Sequence, residues 1–202
     1  MRDLLSKYLD YLFRVSRVVL ELVVNFRYSW AATLGNGSRF LKQASVVNMQ
    51  KDKTKIVIGR NSRIRGELLV FRYGGEIQIG DVCYIGEGTR LWSGERITIG
   101  NYVGIAHNVT IADFAHEPDH QERARGNERI LTKGHPGEKG NIPTAPIAIQ
   151  DHVAIYPNSI ISRGVTIGEG AIISAGSVVL SDVPPFTLML GNPARPMRTL
   201  KQ

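Results

Sequence analysis

The sequence predicts an all-β solenoid, a parallel β-helix whose chain coils in units of six residues. Isoleucines lie at 58, at 79 and 85, at 99, 105 and 111, and at 149, 155, 161, 167 and 173, so the step within the last three groups is six. The residue four positions after each isoleucine is small: Ser62, Cys83, Thr89, Val103, Val109, Ala115, Val153, Ser159, Val165, Ala171 and Ser177. A fixed short period of this kind is the signature of a repeat architecture.

A six-residue period suits one short strand and one corner, and it is too long for a helical period. Three units make a triangular coil, in which each isoleucine and each small residue face the interior. Glycines at 59, 80, 86, 100 and 168 directly follow anchor isoleucines, where we expect a corner that favours a residue without a Cβ atom. A β-sandwich is the competing fold, but its strands alternate with period two and would not keep a six-residue register from 149 to 179.

Residues 1–34 are predicted to form an amphipathic helical appendage. Charges at Asp3, Lys7, Asp10, Arg14, Arg17 and Glu21 are spaced three or four apart, and the other positions are mainly apolar. No stretch approaches the roughly 20 uncharged residues that span a bilayer. Two interpretations stay open: the helix packs on the solenoid end or on another subunit, or residues 1–30 make a peripheral contact with a membrane.

The remaining chain is divided by the repeat. Residues 35–55 are predicted as a linking segment that Gly35, Asn36 and Gly37 open, residues 56–183 as the repeat, and residues 184–202 as a C-terminal tail. The repeat is interrupted by residues 112–148, which are polar and rich in Gly and Pro and are predicted as a long inserted loop. Loops of this length in compact domains are usually functional or disordered.

The inserted loop holds three of the five histidines. Histidine is the side chain best able to accept and pass on a proton near neutral pH. His116 and His120 are flanked by Asp113, Glu117 and Asp119, any of which could orient an imidazole. The loop is therefore the candidate site of acid–base chemistry.

Composition and charge limit the classes of ligand and of cellular location that the sequence allows. The net charge of +7 suits nucleic acid, an acidic membrane surface or an anionic ligand, but no aromatic-basic motif or zinc-finger spacing supports nucleic acid. The single cysteine excludes an internal disulfide, and Cys83 is expected in the core. Without a signal-peptide pattern, the expected location is the cytoplasm, with the inner membrane face as the place of any peripheral contact.

Three motifs carry a resemblance to a known family. The Ile-Gly-x-x-small-x unit, the segment His116-Glu-Pro-Asp-His120 and the ending Gly191-Asn-Pro-Ala-Arg195 resemble the hexapeptide-repeat acyltransferases, in particular the galactoside, maltose and polysaccharide O-acetyltransferases. The resemblance covers roughly residues 55–200. It implies a left-handed β-helix, a homotrimer with each active site between two subunits, and His116 as general base.

The same resemblance implies where acetyl-CoA binds. Ser174 and Ala175 would meet the pantetheine arm through backbone groups, Leu180 and Ser181 would lie beside it, and Arg195 and Arg198 would face the phosphates. No metal is expected. This chain has Val153-Ala-Ile-Tyr156 where many relatives have Val-Trp-Ile-Gly, and it lacks polar side chains near Gly86 and Gly94, so we do not expect a simple galactoside as the acceptor.

The expected function is acetyl-CoA-dependent O-acetylation of a sugar hydroxyl, in a surface polysaccharide or glycan precursor. N-acetylation of an amino-sugar nucleotide is the nearest alternative. A zinc enzyme like the γ-type carbonic anhydrases, with ligands from His107, His116, His120 or His152, and a non-catalytic solenoid are the more distant ones.

Overall fold

The computed structural model describes residues 15–16, 18–116 and 119–201, and short strands dominate them. Residues 15–16 and 18–28 are helical and form helix α1. A 3-10 turn, Lys53–Lys55, follows the third strand, and helix α2 is His120–Lys133. The strands are β1 Thr33–Leu34, β2 Arg39–Phe40, β3 Ser45–Asn48, β4 Ile56–Ile58, β5 Arg63–Ile64, β6 Glu67–Val70, β7 Ile77–Ile79, β8 Tyr84–Ile85, β9 Arg90–Ser93, β10 Ile97–Ile99, β11 Gly104–Ile105, β12 Thr110–Ala112, β13 Ile147–Ile149, β14 Ala154–Ile155, β15 Ile160–Ile161, β16 Thr166–Ile167, β17 Ile172–Ile173, β18 Val178–Val179, β19 Thr187–Leu190 and β20 Arg195–Thr199.

These strands form three sheets that make the sides of a prism. Sheet A is β1-β4-β7-β10-β13-β16, sheet B is β2-β5-β8-β11-β14-β17-β19-β20, and sheet C is β18-β15-β12-β9-β6-β3. Consecutive strands go to different sheets, and each coil pairs in parallel with the next, as Ile97 of β10 does with Ile77 and Ile147. The predicted left-handed parallel β-helix is confirmed, and parallel pairing throughout the prism rules out a sandwich.

The core is the stack of anchor residues predicted from the repeat. All eleven anchor isoleucines are buried, and so are ten of the eleven small residues four positions later. Cys83 is among them, and burial raises the pKa of its thiol. Ala115 is the exception: it is only half-buried, because the inserted segment leaves the prism there.

The glycines after the anchors lie, as predicted, where a residue without a Cβ atom is favoured. Gly59, Gly86 and Gly100 do not have positive φ angles; a Cβ atom on each would lie 2.2 to 2.9 Å from atoms of the next coil. They permit close stacking of coils. The left-handed backbone lies three residues after the anchor, where Val82 and Asn108 both have φ of 57°.

The repeat begins one coil earlier than predicted. Residues 35–55 are not a linker, because β2 and β3 pair with β5 and β6, and β1 pairs with β4. The six-residue step is present as Leu34, Phe40 and Val46, followed four positions later by Ser38 and Ala44. The coil escapes a search for isoleucine because its anchors are other apolar residues.

Helix α1 packs across the open end of this first coil. The Asn25 side chain donates to the Phe40 carbonyl at 2.9 Å and accepts from the Phe40 amide at 2.8 Å, so it pairs with the edge strand. Tyr28 is buried against the Phe40 ring and donates to the Ala44 carbonyl. Packing on the solenoid end is thus observed for this face of the helix. Residues 1–14 and 17 of the predicted appendage lie outside the described residues.

The C-terminal tail closes the opposite end. β19 adds to sheet B beside β17, and β20 returns antiparallel to it. Between them the chain passes under β18, where Val178 donates to the Gly191 carbonyl and accepts from the Ala194 amide. Within the described part of the chain, no helix is long and apolar enough to cross a membrane.

Candidate functional site

The inserted segment leaves the prism at the edge where strands of sheet C turn toward sheet A, which we call the C–A corner. The same corner contains residues 49–55 in the first coil, 71–76 and 94–96 in the next two, and 162–165 and 180–183 in the last two. Successive coils in a parallel ladder are about 4.8 Å apart. Residues distant in sequence are therefore stacked along one edge.

A short antiparallel stem supports the start of the insertion. Phe114 forms a bridge with Thr144, the Ala115 amide donates to the Pro143 carbonyl at 2.9 Å, and the Ala145 amide donates to the Asp113 carbonyl at 2.8 Å. This stem ends directly before His116. The histidine is thus anchored to the rigid prism even though it belongs to the insertion.

Between stem and prism lies the carboxylate of Asp113, which is completely buried. It accepts hydrogen bonds from Ser93 Oγ at 2.6 Å and from the amides of Gly94 at 2.6 Å and Glu95 at 3.0 Å. Burial raises the pKa of Asp113, and the hydrogen bonds act in the opposite direction. These bonds join the stem to the turn of the coil before it, so the observed partners of Asp113 are the turn at 93–95 and not an imidazole.

Beside the stem an aromatic cluster lines a cavity of about 380 Å³. The Phe71 ring stacks on Tyr73 at 5.2 Å and meets Phe114 edge-on at 4.9 Å, and His135 lies 5.3 Å from it. Burial, and then the charge of Asp113, raise the pKa of Tyr73 to about 12. A wall of this kind offers apolar ring faces to a ligand of sugar size.

The exposed side chain of His116 also lines this cavity. Of the other candidates, Asp119 caps helix α2 by accepting from the amides of Gln121 and Glu122, each at 2.9 Å, and Glu117 lies outside the described residues. His120 is the first residue of α2 and is not among the lining residues. The structure therefore distinguishes the two histidines that the sequence offers.

Helix α2 and the segment after it cover the cavity. The insertion was predicted as a loop throughout, and the structure corrects this, because part of it is helix α2. Asp119 begins this helix and Gly134 ends it, and none of its residues is buried. Glu122, Asn127 and Ile130 line the cavity. Thr144 Oγ bonds to both Glu95 and Lys139, which holds the far end of the insertion to the turn at 94–96.

The predicted coenzyme-binding residues fall into two groups on either side of β18. Leu180 and Ser181 are exposed on the C–A corner, two coils beyond the stem, because Ile111, Ile161 and Val179 are in register. Ser174 and Ala175 lie at the opposite end of β18, at the corner between sheets B and C.

The two arginines extend the second group. Arg195 and Arg198 are exposed on β20, which starts where the chain emerges from beneath β18. Within one chain, Leu180 and Ser181 thus lie on the same edge of the prism as His116, whereas Arg195 and Arg198 lie away from that edge.

The histidines that a zinc site would need are separated within the chain. His107 lies at the corner between sheets B and C, and His152 lies at the corner between A and B, where it stacks on Tyr102 at 5.1 Å. Among the described residues no group of three or more His, Cys, Asp and Glu side chains is arranged to hold a metal ion.

Sequence reasoning missed the aromatic wall. Phe71, Tyr73, Trp92 and His135 are not singled out by spacing or by any motif. The available signal was the corner itself. Because β6 and β12 belong to one sheet, Phe71, directly after β6, and Phe114, two residues after β12, are expected to lie near each other.

A left-handed parallel β-helix that carries a histidine beside a covered cavity defines a class, the hexapeptide-repeat proteins with a small-molecule site. The model of the bacterial transferase hexapeptide family, described as six repeats, matches residues 146–181. The chain is 33% identical over 143 residues to dTDP-4-amino-4,6-dideoxy-D-glucose acyltransferase of Escherichia coli, and the alignment covers 70% of each chain. It therefore belongs to the hexapeptide-repeat acyltransferase family.

One further relative and one solved structure agree with this family assignment. Galactoside O-acetyltransferase of Escherichia coli K12 is 32% identical over 71% of this chain, which spans 63% of that enzyme's own length. A solved hexapeptide-repeat acetyltransferase of Vibrio cholerae, in complex with acetyl coenzyme A, has a TM-score of 0.57 and 25% identity, with 95% of this chain and 89% of that one covered.

Proposed function

We propose that the protein transfers an acetyl group from acetyl-CoA to a sugar hydroxyl, in a surface polysaccharide or glycan precursor, with His116 as general base. The observation that carries the proposal is that His116 lines a cavity with aromatic walls, at the end of a stem held to the prism. The names of the relatives, a galactoside O-acetyltransferase among them, support acetyl transfer to a sugar.

The chemistry follows from the position of the imidazole. A neutral imidazole nitrogen takes the proton of the acceptor hydroxyl as its oxygen attacks the thioester carbonyl carbon. The carbon–sulfur bond then breaks, the acetyl ester is formed, and the imidazolium returns the proton to the coenzyme A thiolate. Asp113 has a positioning role in this proposal, because it joins the stem that carries His116 to the preceding coil.

The two groups of coenzyme residues suit a homotrimer, which we also propose. Each subunit presents both ends of β18, so a groove between two subunits would combine the C–A corner of one with a neighbouring face of the next. Arg195 and Arg198 would face the phosphates, Ser174 and Ala175 would contact the pantetheine arm, and Leu180 and Ser181 would lie beside it. Light scattering should give three chain masses.

N-acetylation of an amino-sugar nucleotide is a second candidate, favoured by the likeness to the acyltransferase of dTDP-4-amino-4,6-dideoxy-D-glucose. One experiment tests both. The protein is incubated with acetyl-CoA and paired acceptors that differ only in carrying a hydroxyl or an amine, and thiol release and product stability to hydroxylamine are measured. An acetyl ester is cleaved and an acetamide is not, so a cleavable product supports the first proposal, a stable product the second, and no transfer to any sugar contradicts both.

A further inference from the structure

The outer face of helix α1 is apolar and exposed. Its inner face, which includes Asn25 and Tyr28, packs on the first coil. The opposite face carries Val18, Val19, Leu22, Val23 and Phe26, and Trp30 follows the helix. Leu22 is 66% exposed, Phe26 is 74% exposed and Trp30 is 78% exposed. Soluble proteins rarely leave so large a contiguous apolar surface in water unless it binds something.

Positive charge is concentrated in the same part of the sequence, and the described residues between 18 and 55 include six Lys and Arg against two Asp and Glu. Residues 1–55 contain ten Lys and Arg against four Asp and Glu, whereas the remaining 147 residues contain fifteen against fourteen. Almost all of the net charge of +7 therefore belongs to the first quarter of the chain. Trp30, Lys51 and Lys53 line one shallow depression, so the lysines directly adjoin the apolar surface.

We propose that this end of the prism docks on an anionic lipid bilayer. The docking face consists of the outer face of α1, Trp30 and the turn at 51–55. Apolar helix residues enter the boundary between headgroups and acyl chains, Trp30 lies at headgroup level, and the lysines meet anionic headgroups. A second copy fits less well than an anionic bilayer, because pairing this face with itself would bring together two surfaces of the same net positive charge.

The docking face lies on the same edge of the prism as the cavity. Lys51 and Lys53 belong to the C–A corner of the first coil, and His116 to that corner three coils further along, about 14 Å away at the usual ladder spacing. A glycan attached to a lipid in the bilayer would therefore extend toward the cavity. This last step rests on the proposed function, whereas the docking itself does not.

Vesicle co-sedimentation without any substrate tests the docking and is independent of transferase activity. The full chain is mixed with vesicles of phosphatidylcholine alone and with vesicles that also contain about 30 mol% phosphatidylglycerol, which is enough for a strong negative surface potential. We expect binding to the anionic vesicles that weakens as salt is raised, and much weaker binding to the neutral ones.

Matched substitutions locate the contact. Changing both Lys51 and Lys53 to Gln should weaken anionic binding about 25-fold, since each lysine near such a surface contributes about fivefold. Phe26→Glu should weaken it about tenfold or more. Leu131→Glu, at a residue of α2 that is 87% exposed, and Lys133→Gln should leave binding unchanged.

Three results would overturn the proposal: no binding of the wild type to anionic vesicles, equal loss in the control variants, or unchanged binding of Phe26→Glu. If Phe26→Glu instead changes the number of subunits seen by light scattering and leaves vesicle binding intact, the face is an interface between copies. Far-UV circular dichroism confirms that each variant is folded.

Discussion

Replacing Gly86 by Ala should separate two coils of the prism. A Cβ atom on Gly86 would lie 2.4 Å from the carbonyl carbon and 2.5 Å from the carbonyl oxygen of Ala106, and 2.7 Å from the amide nitrogen of His107. All three are backbone atoms that cannot rotate away. Carbon atoms in contact prefer about 3.5 Å or more, so the coils must move apart by about 1 Å at this corner.

The cost can be estimated from the contacts that cross this corner. The Gly86 amide donates to the Ile105 carbonyl at 2.8 Å, and the Asn108 amide donates to the Glu87 carbonyl at 3.0 Å. A shift of about 1 Å breaks both bonds, at about 1 kcal/mol each, and forced overpacking adds about 1–3 kcal/mol. We expect Gly86→Ala to lower the free energy of unfolding by about 3–5 kcal/mol.

Gly104→Ala is the matched control. Gly104 lies in β11, has no positive φ, and a Cβ atom on it would meet nothing within 4 Å. Its replacement should change stability by less than about 1 kcal/mol, in the stabilising direction, because Ala restricts the unfolded chain. Urea unfolding at equal protein concentration measures both. Equal stability of the two variants would mean that coils do not stack as closely as described.

Three further predictions concern single side chains. Asp113→Ala leaves the amides of Gly94 and Glu95 without their acceptor and should cost about 2–4 kcal/mol in urea unfolding, and Asp113→Asn should cost less. Because the folded-state pKa of Tyr73 is raised to about 12, its contribution to stability is complete below pH 10 and is lost as pH rises toward 12. The stability of the wild type relative to Tyr73→Phe should therefore fall between pH 9 and 11, by less than about 1 kcal/mol because the ring is only half-buried and solvent screens it. A pH-independent difference would contradict the assignment. Val82 is a β-branched residue at φ 57°, so Val82→Asn should raise the melting temperature, by the relief of about 1 kcal/mol of backbone strain, and a lower melting temperature would refute this.

The prism could be predicted from the sequence because its core repeats one residue type. Each anchor isoleucine stacks on the equivalent residue of the next coil, so packing imposes the six-residue step directly on the sequence. The first coil was not predicted, because Leu34, Phe40 and Val46 take the anchor positions that isoleucine occupies in the later coils. The glycine after the anchor was predicted as a residue without a Cβ atom, and the structure gives the reason, which is the close approach of the next coil.

The site could be predicted only in part. His116 stands in a recognisable motif, whereas the aromatic wall depends on which strands share a sheet, and α2 has no buried face to give it an apolar period. The role of Asp113 depends on a turn twenty residues earlier in the chain, at Ser93. Contacts of this kind join residues of different coils, so they produce no pattern within a short stretch of the sequence.

The most direct test of the central claim compares His116→Ala with His120→Ala. Both histidines stand in the same motif, but only His116 lines the cavity. We expect His116→Ala to lower kcat for acetyl transfer by about 10²–10⁴-fold, with the coenzyme A affinity measured by calorimetry nearly unchanged, and His120→Ala to retain turnover. Retained turnover in His116→Ala, or its loss in His120→Ala alone, would contradict the assignment of His116 as the base.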